Sequence, residues 1–118
     1  MFAIIGKTAS GKDTLAKELC EKYGYRRVIS YNTRPMRKGE KDGVTYHFIT
    51  PEEFETKRKA GFFIECEPYL SEGGTQWHGF ARADTEGADT EKSIVILTPS
   101  GLRKLRSLTN TPIRCIYP

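Results

Sequence analysis

The stretch Gly6-Lys7-Thr8-Ala9-Ser10-Gly11-Lys12-Asp13-Thr14 decides the fold. Gly6, Gly11 and Lys12 fit the phosphate-cradling pattern G-x-x-x-x-G-K-[ST], except that Asp13 stands in the hydroxyl position. Such a pattern is specific only with its flanks, and both flanks are present. Phe2-Ala3-Ile4-Ile5 is a short apolar run that reads as a buried strand. Beyond the loop, Leu15, Ala16, Leu19, Cys20 and Tyr23 recur at helical spacing, and Gly24 supplies a stop. In a strand–loop–helix unit the glycines let backbone N–H groups curl around a phosphate, and the helix N-terminus adds its positive end. On this reading Gly6, Ala9, Ser10, Gly11, Lys12, Asp13 and Thr14 hold a nucleoside triphosphate, with Lys12 reaching the outer phosphates. The competing explanation, a chance glycine turn between strand and helix, leaves this context unexplained.

Length and composition bound the rest. A chain of 118 residues fits a single folding unit with a modest core. Charged residues at 29% and apolar ones at 37% describe an ordinary globular protein, and no apolar run approaches the ~20 residues of a membrane span. The N-terminus has no basic segment followed by a long apolar run and a cleavage site, so a cytoplasmic location is expected. Cys20, Cys66 and Cys115 form no C-x-x-C pair and read as reduced thiols. The net charge of +4 gathers at Arg26–Lys41, Lys57–Lys59 and Arg103–Arg106. Lys57, Arg58 and Lys59 close a helix, where cations meet its negative end. Arg103, Lys104 and Arg106 lie on the outer face of a helix built around Leu102, Leu105 and Leu108. Both clusters read as solvated faces, nucleic acid is not expected as a partner, and only the Arg34/Arg37 region asks for an anionic ligand.

Strands and helices alternate along the chain. Arg27-Val28-Ile29 and Tyr46-His47-Phe48-Ile49 read as strands. Thr50-Pro51-Glu52-Glu53 is a capping box with proline at the first helical position, and Ile49 with Phe54 forms a hydrophobic staple. That helix runs to Gly61, and Phe62–Cys66 returns as a strand. A glycine-bearing loop is expected between Leu70 and Gln76, and a frayed helix or loop from Asp84 to Lys92. Ser93–Leu97 is a continuous apolar run suited to a buried parallel strand. Thr98-Pro99-Ser100-Gly101 opens a helix, and Ile113–Tyr117 begins another strand.

A second segment carries a family resemblance. Ser30-Tyr31-Asn32-Thr33-Arg34-Pro35-Met36-Arg37-Lys38-Gly39-Glu40, followed by Asp42-Gly43-Val44-Thr45-Tyr46-His47-Phe48, resembles the acceptor region of guanylate kinases. The spacing from Ser30 through Tyr46 to Glu65 matches that family without a gap, and the likeness continues through Trp77-His78-Gly79. It implies an α/β fold: a P-loop three-layer α/β/α core with a parallel sheet, plus an inserted small mixed α+β subdomain that binds the monophosphate. The expected division is a core of residues 1–30 and 90–118 and a subdomain of residues 31–89. The resemblance implies that Ser30, Arg34, Arg37 and Tyr46 hold the acceptor phosphate. Two guanidinium forks and two hydroxyls suit a dianion. It also implies that Glu65 accepts hydrogen bonds from the guanine ring N–H and amine. His78 falls where the family has a tyrosine beside the phosphate, as a donor or as a plain loop residue.

The chain also departs from the pattern. Phe80 replaces a serine or threonine that contacts guanine, and Ile96-Leu97-Thr98 replaces an acidic strand end, leaving Thr98 as a possible base contact. The loop from Ser71 to Gln76 is longer than the family's. The chain stops at Pro118, where the family continues into a lid carrying arginines and then C-terminal helices, so truncation before the lid is expected. The implied activity is ATP-dependent phosphorylation of a nucleoside monophosphate, GMP or dGMP, with Lys12, Arg34 and Arg37 as the catalytic residues. Mg2+ is the implied cofactor, with Asp13 and Thr14 as candidate ligands. The alternative is a guanylate-kinase-like module that binds nucleotide or protein and catalyses weakly. A nucleic-acid-processing P-loop protein is a third class, and it does not explain Glu65.

Overall fold

In a computed structural model the chain divides into two compact units, Met1–Val28 with Asp84–Pro118, and Ile29–Ala83. The structure describes residues 1–5, 11–86 and 91–116, with Lys12 and Asp13 as backbone only. The first unit opens with β1 (Phe2–Ile5), α1 (Lys12–Tyr23) and β2 (Arg26–Val28). The second holds β3 (Tyr31–Asn32), β4 (His47–Phe48), α2 (Pro51–Lys59), β5 (Phe63–Ser71) and β6 (Gly74–Ala81). After a 3-10 turn at Arg82–Thr85, the first unit resumes with β7 (Ser93–Leu97), α3 (Pro99–Leu108) and β8 (Arg114–Ile116).

The first unit is a parallel sheet in the order β2-β7-β1-β8. The β1–α1–β2 connection steps across β7, and β7–α3–β8 steps across β1 in the opposite direction. Right-handed crossovers in opposite directions put their helices on opposite faces of the sheet. The side chains follow that rule. Ile4 and Ile94 are buried against Ala16 of α1, with Leu15, Leu19 and Cys20 around them. Alternate residues Ala3, Ile5, Val95 and Leu97 turn to the other face, the side on which α3 buries Leu102 and Leu105. Burial on both faces is why β7 reads as an unbroken apolar run. Gly24 ends α1 with φ 71°. One sequence expectation needs correcting: Arg106 does more than face solvent. Its guanidinium donates to the Ile113 carbonyl at 2.7 Å, which ties α3 to the entrance of β8.

The second unit carries a mixed sheet in the order β4-β3-β6-β5. The capping box is formed as its sequence demands: the Thr50 hydroxyl accepts from the Glu53 N–H at 3.1 Å, and the Glu53 carboxylate accepts from the Thr50 N–H at 3.2 Å. Helix α2 anchors through Phe54, which is 1% exposed and stacked on Phe63 with ring centroids 4.4 Å apart. Lys57 lies with its ammonium 4.2 Å from the Phe62 ring centroid.

Two readings differ from the structure here, and a third, the frayed helix or loop from Asp84 to Lys92, agrees with it where it is described. No loop separates Leu70 from Gln76; β5 and β6 stay paired from Phe63↔Ala81 to Ser71↔Gly74, and the turn is tight. Tyr31–Asn32 is a short strand that sequence reading passed over, held between β4 and β6. The Asp84–Lys92 segment includes the end of a 3-10 turn, and residues 87–90 lie outside the described residues.

Candidate functional site

In the first unit β1 and β7 end side by side at the pair Ile5↔Leu97. From there their connections leave for opposite faces, the place where open parallel sheets collect ligands. The glycine loop begins here. Gly6, Ala9 and Ser10 lie outside the described residues. Gly11 is the N-cap of α1, with φ 84°, and among the described residues no side chain caps the helix. Lys12 and Asp13 are its first residues, and Thr14 is exposed in the same turn. The first N–H groups of a helix have no intrahelical partner, and with a glycine as N-cap no side chain of that residue takes them, which suits an anion. Thr98 follows β7, and there its hydroxyl has a structural job. It accepts the Gly101 N–H at 3.1 Å and lies 3.2 Å from the Ser100 hydroxyl, capping α3.

The second unit brings Arg34, Arg37 and Tyr46 together around an acid that sequence reasoning did not assign. Glu40 takes both forks of Arg34, Nη1 to Oε1 and Nη2 to Oε2, each at 2.7 Å. The same carboxylate accepts the Arg37 backbone N–H at 2.7 Å. A turn makes this possible: the Glu40 N–H donates to the Arg37 carbonyl at 3.1 Å, with Gly39 at φ 87° in the third position. That is the positive φ a type II turn requires there. The Arg34 side chain is 10% exposed and that of Glu40 16%. Hydrogen bonding from Arg34 holds the Glu40 carboxyl down at about 2, and the same bond raises the Arg34 guanidinium above its ordinary value. The Arg34 guanidinium carbon also lies 5.3 Å from the Tyr46 ring centroid and 5.6 Å from that of Phe48. Among the described residues the Arg37 guanidinium and the Tyr46 hydroxyl have no hydrogen-bond partner, and Arg37 is exposed. Ser30 is buried one step before β3, its carbonyl accepting from the His47 N–H at 2.9 Å.

Glu65 and His78 sit further across the same sheet. His78 faces Asn32 of β3 on one side and Glu67 of β5 on the other, with its Nε2 3.8 Å from the Glu67 carboxylate. Glu65 is half-buried at an irregularity of β5, opposite Phe80. Phe80 is buried, so its side chain belongs to the core of this unit. Gly79 explains itself by close approach. A Cβ there would fall 2.8 Å from the Cys66 Cβ and 2.9 Å from the Glu65 carbonyl oxygen. The sequence signal that Glu40 offered was its place three residues after Arg37 across a glycine turn. Asn32 and Tyr69, which also bond toward Arg34, offered no local signal, because they meet only through the sheet.

Three kinds of comparison bear on this geometry. The family model described as guanylate kinase matches residues 1–113. The chain belongs to the guanylate kinase family. Among relatives, the guanylate kinase of Chlorobium luteolum is 36% identical over 100 residues, covering 83% of this chain and 51% of that protein. The guanylate kinase of Vibrio parahaemolyticus is 33% identical over 123 residues, covering 85% of this chain and 59% of that protein. The chain therefore spans about half the length of the curated guanylate kinases it matches. The crystal structure of guanylate kinase from Anaplasma phagocytophilum superposes with a TM-score of 0.73 at 26% identity, covering 99% of this chain and 58% of that one. The guanylate kinase fold accounts for the parallel four-stranded sheet, the mixed sheet and the three helices found here. Cys20, Cys66 and Cys115 form no disulfide, and no described helix is long and apolar enough to cross a membrane.

Proposed function

We propose that this chain binds ATP and a nucleoside monophosphate, GMP or dGMP, and phosphorylates the latter in the cytoplasm. An oxygen of the acceptor phosphate attacks the γ-phosphorus in line; the new P–O bond forms as the bond to the β,γ-bridging oxygen breaks, and ADP leaves. The enzyme forms no covalent intermediate. In this reading residues 1–30 and 90–118 hold the donor and residues 31–89 the acceptor. Lys12 and the backbone N–H groups from Gly6 to Thr14 stabilise charge on the donor phosphates. Arg37, Arg34, Tyr46 and Ser30 hold the acceptor phosphate, with His78 nearby, and Glu65 reads the guanine edge. Thr98 enters as a base contact only if its hydroxyl leaves the helix cap. The Asp13 carboxylate and Thr14 hydroxyl are hard oxygen donors at the start of α1, the donor chemistry that Mg2+ accepts alongside phosphate oxygens and water. Mg2+, when bound, supplies neutralising charge to the donor oxygens.

The observation that carries this reading is the Arg37–Glu40–Arg34–Tyr46 cluster, positioned on a guanylate kinase scaffold. One observation favours a second reading, a module that binds a monophosphate with little turnover. Glu40 already occupies both terminal nitrogens of Arg34, which leaves Arg37 as the principal cation for a phosphate. Incubation with ATP, Mg2+ and a panel of monophosphates, beside Lys12→Ala and Arg37→Ala, separates the two. Turnover of GMP or dGMP that both substitutions abolish supports the kinase. Binding without turnover supports the module, and absence of monophosphate binding overturns both.

A further inference from the structure

We infer that Tyr69 and Gln76, far out on the β5–β6 hairpin, are positioning residues for the acceptor phosphate, fixing the backbone from which Arg34 projects. The inference rests on the proposed role of the Arg34–Arg37 segment and adds residues that the segment itself does not contain. Tyr69 and Gln76 are direct cross-strand partners, so their side chains share one face of the hairpin. Each reaches a different one of the two residues before Arg34, Asn32 and Thr33. The Tyr69 phenol donates to the Asn32 amide oxygen at 2.6 Å, and the Thr33 hydroxyl donates to the Gln76 amide oxygen at 2.8 Å. Thr33 is held from the hairpin twice more, by its N–H to the Trp77 carbonyl at 3.0 Å and by accepting the Trp77 N–H on its hydroxyl at 2.9 Å. Asn32 and Thr33 are 6% and 8% exposed, so water does not substitute freely for these partners.

Asn32 is the pivot. Its amide oxygen accepts from the Tyr69 phenol and also from the Arg34 backbone N–H at 3.1 Å, which uses both lone pairs. An asparagine amide turned end for end would aim N–H donors at the Arg34 N–H and lose that bond. The Arg34 N–H, a donor only, therefore fixes which way the amide faces, and the phenol holds that amide in place from the hairpin. From Arg34 the hydrogen bonds pass through Glu40 to the Arg37 N–H. The hairpin thus sets the starting point of one arginine directly and of the other through Glu40. Tyr69 and Gln76 lie just short of the hairpin's Ser71–Gly74 tip, where Leu70 is 86% exposed and contributes little packing.

The test uses the 118-residue chain and GMP, with binding measured by calorimetry and folding by chemical denaturation. Tyr69→Phe keeps the ring and removes the donor. GMP affinity is expected to fall about five- to tenfold, with the unfolding midpoint little changed and the Arg34 amide exchanging faster with solvent. In an Arg34→Ala background the same substitution is expected to have no further effect on GMP affinity, because the tether acts only through Arg34. Gln76→Ala provides an independent second variant with the same expected pattern. An unchanged GMP affinity in both variants overturns the inference, as does an equal loss in the Arg34→Ala background, which is the mark of a merely structural role. If the unsubstituted chain binds no GMP, the acceptor-site reading fails and the tether's functional role falls with it. That failure is recognisable because the Arg34 amide still responds to Tyr69→Phe.

Discussion

Replacing Gly79 by alanine tests whether the sheet of the second unit is as tightly closed around the proposed guanine contact as its distances say. Gly79 lies in β6 between two neighbours, facing Tyr31 of β3 and Cys66 of β5. The added methyl would meet the Cys66 Cβ at 2.8 Å, the Glu65 carbonyl oxygen at 2.9 Å and the Phe63 Cδ1 at 3.0 Å. Two of those atoms cannot turn aside. A Cβ and a backbone oxygen move only with the strand, so β5 must shift away from β6 by several tenths of an ångström. Overpacking of this kind costs about 1–3 kcal/mol. Alanine restricts the unfolded chain more than glycine does and returns roughly 0.4–1 kcal/mol of that. A net loss of about 1–2 kcal/mol is expected, or very roughly 5–10 °C in melting temperature for a unit of this size.

Trp77, the single tryptophan, lies in the same strand two residues away and gives a local fluorescence signal for the unfolding of this unit. Gly73→Ala at the hairpin tip is the matched control, because a Cβ there meets only the Gln76 amide nitrogen, at 3.8 Å. The Gly79 variant should unfold at lower urea concentration than the chain without substitution, and the Gly73 variant should not. Displacement of Glu65 should also weaken GMP binding in the Gly79 variant. A Gly79→Ala midpoint equal to or above that of the unsubstituted chain would refute the close approach, and with it the explanation of why glycine stands there.

Two further outcomes follow from the polar contacts. With the Glu40 carboxyl lowered to about 2 from its usual 4.5, the Arg34–Glu40 pair contributes stability fully above about pH 4.5. That contribution is lost as the pH falls from there toward 2, so protection of the Arg37 amide should collapse in that window, and Glu40→Gln should abolish this pH dependence. Thr98→Ala should destabilise the first unit by about 1 kcal/mol through loss of the α3 cap while leaving GMP affinity unchanged. A loss of GMP affinity at unaltered stability would instead make Thr98 a base contact.

What the sequence made legible, and what it hid, divides along the range of the interaction responsible. Features fixed within a few residues were readable. The Thr50–Glu53 box, the Gly24 stop and the Thr98-Pro99 helix start are local chemistry, and the apolar run of β7 needs only two covered faces. The β5–β6 hairpin reads as a loop because Gly73 and Gly74 signal a turn without saying that the strands on both sides stay paired up to it, across Pro68. That proline stands at an edge, since β5 ends the order β4-β3-β6-β5, and edge strands are where proline is tolerated. Tyr31–Asn32 was passed over because two residues carry no periodicity; neighbours on both sides make them a strand. The candidate site shows the same division. Arg34, Arg37 and Tyr46 stand out as a motif, whereas their geometry comes from Glu40 across a turn and from Tyr69, which meets Asn32 from 37 residues away. A motif names the groups that could touch a phosphate. Glu40 takes the fork of Arg34 and leaves that of Arg37 to do so, which is why Arg37→Ala should cost more GMP affinity than its spacing alone would suggest.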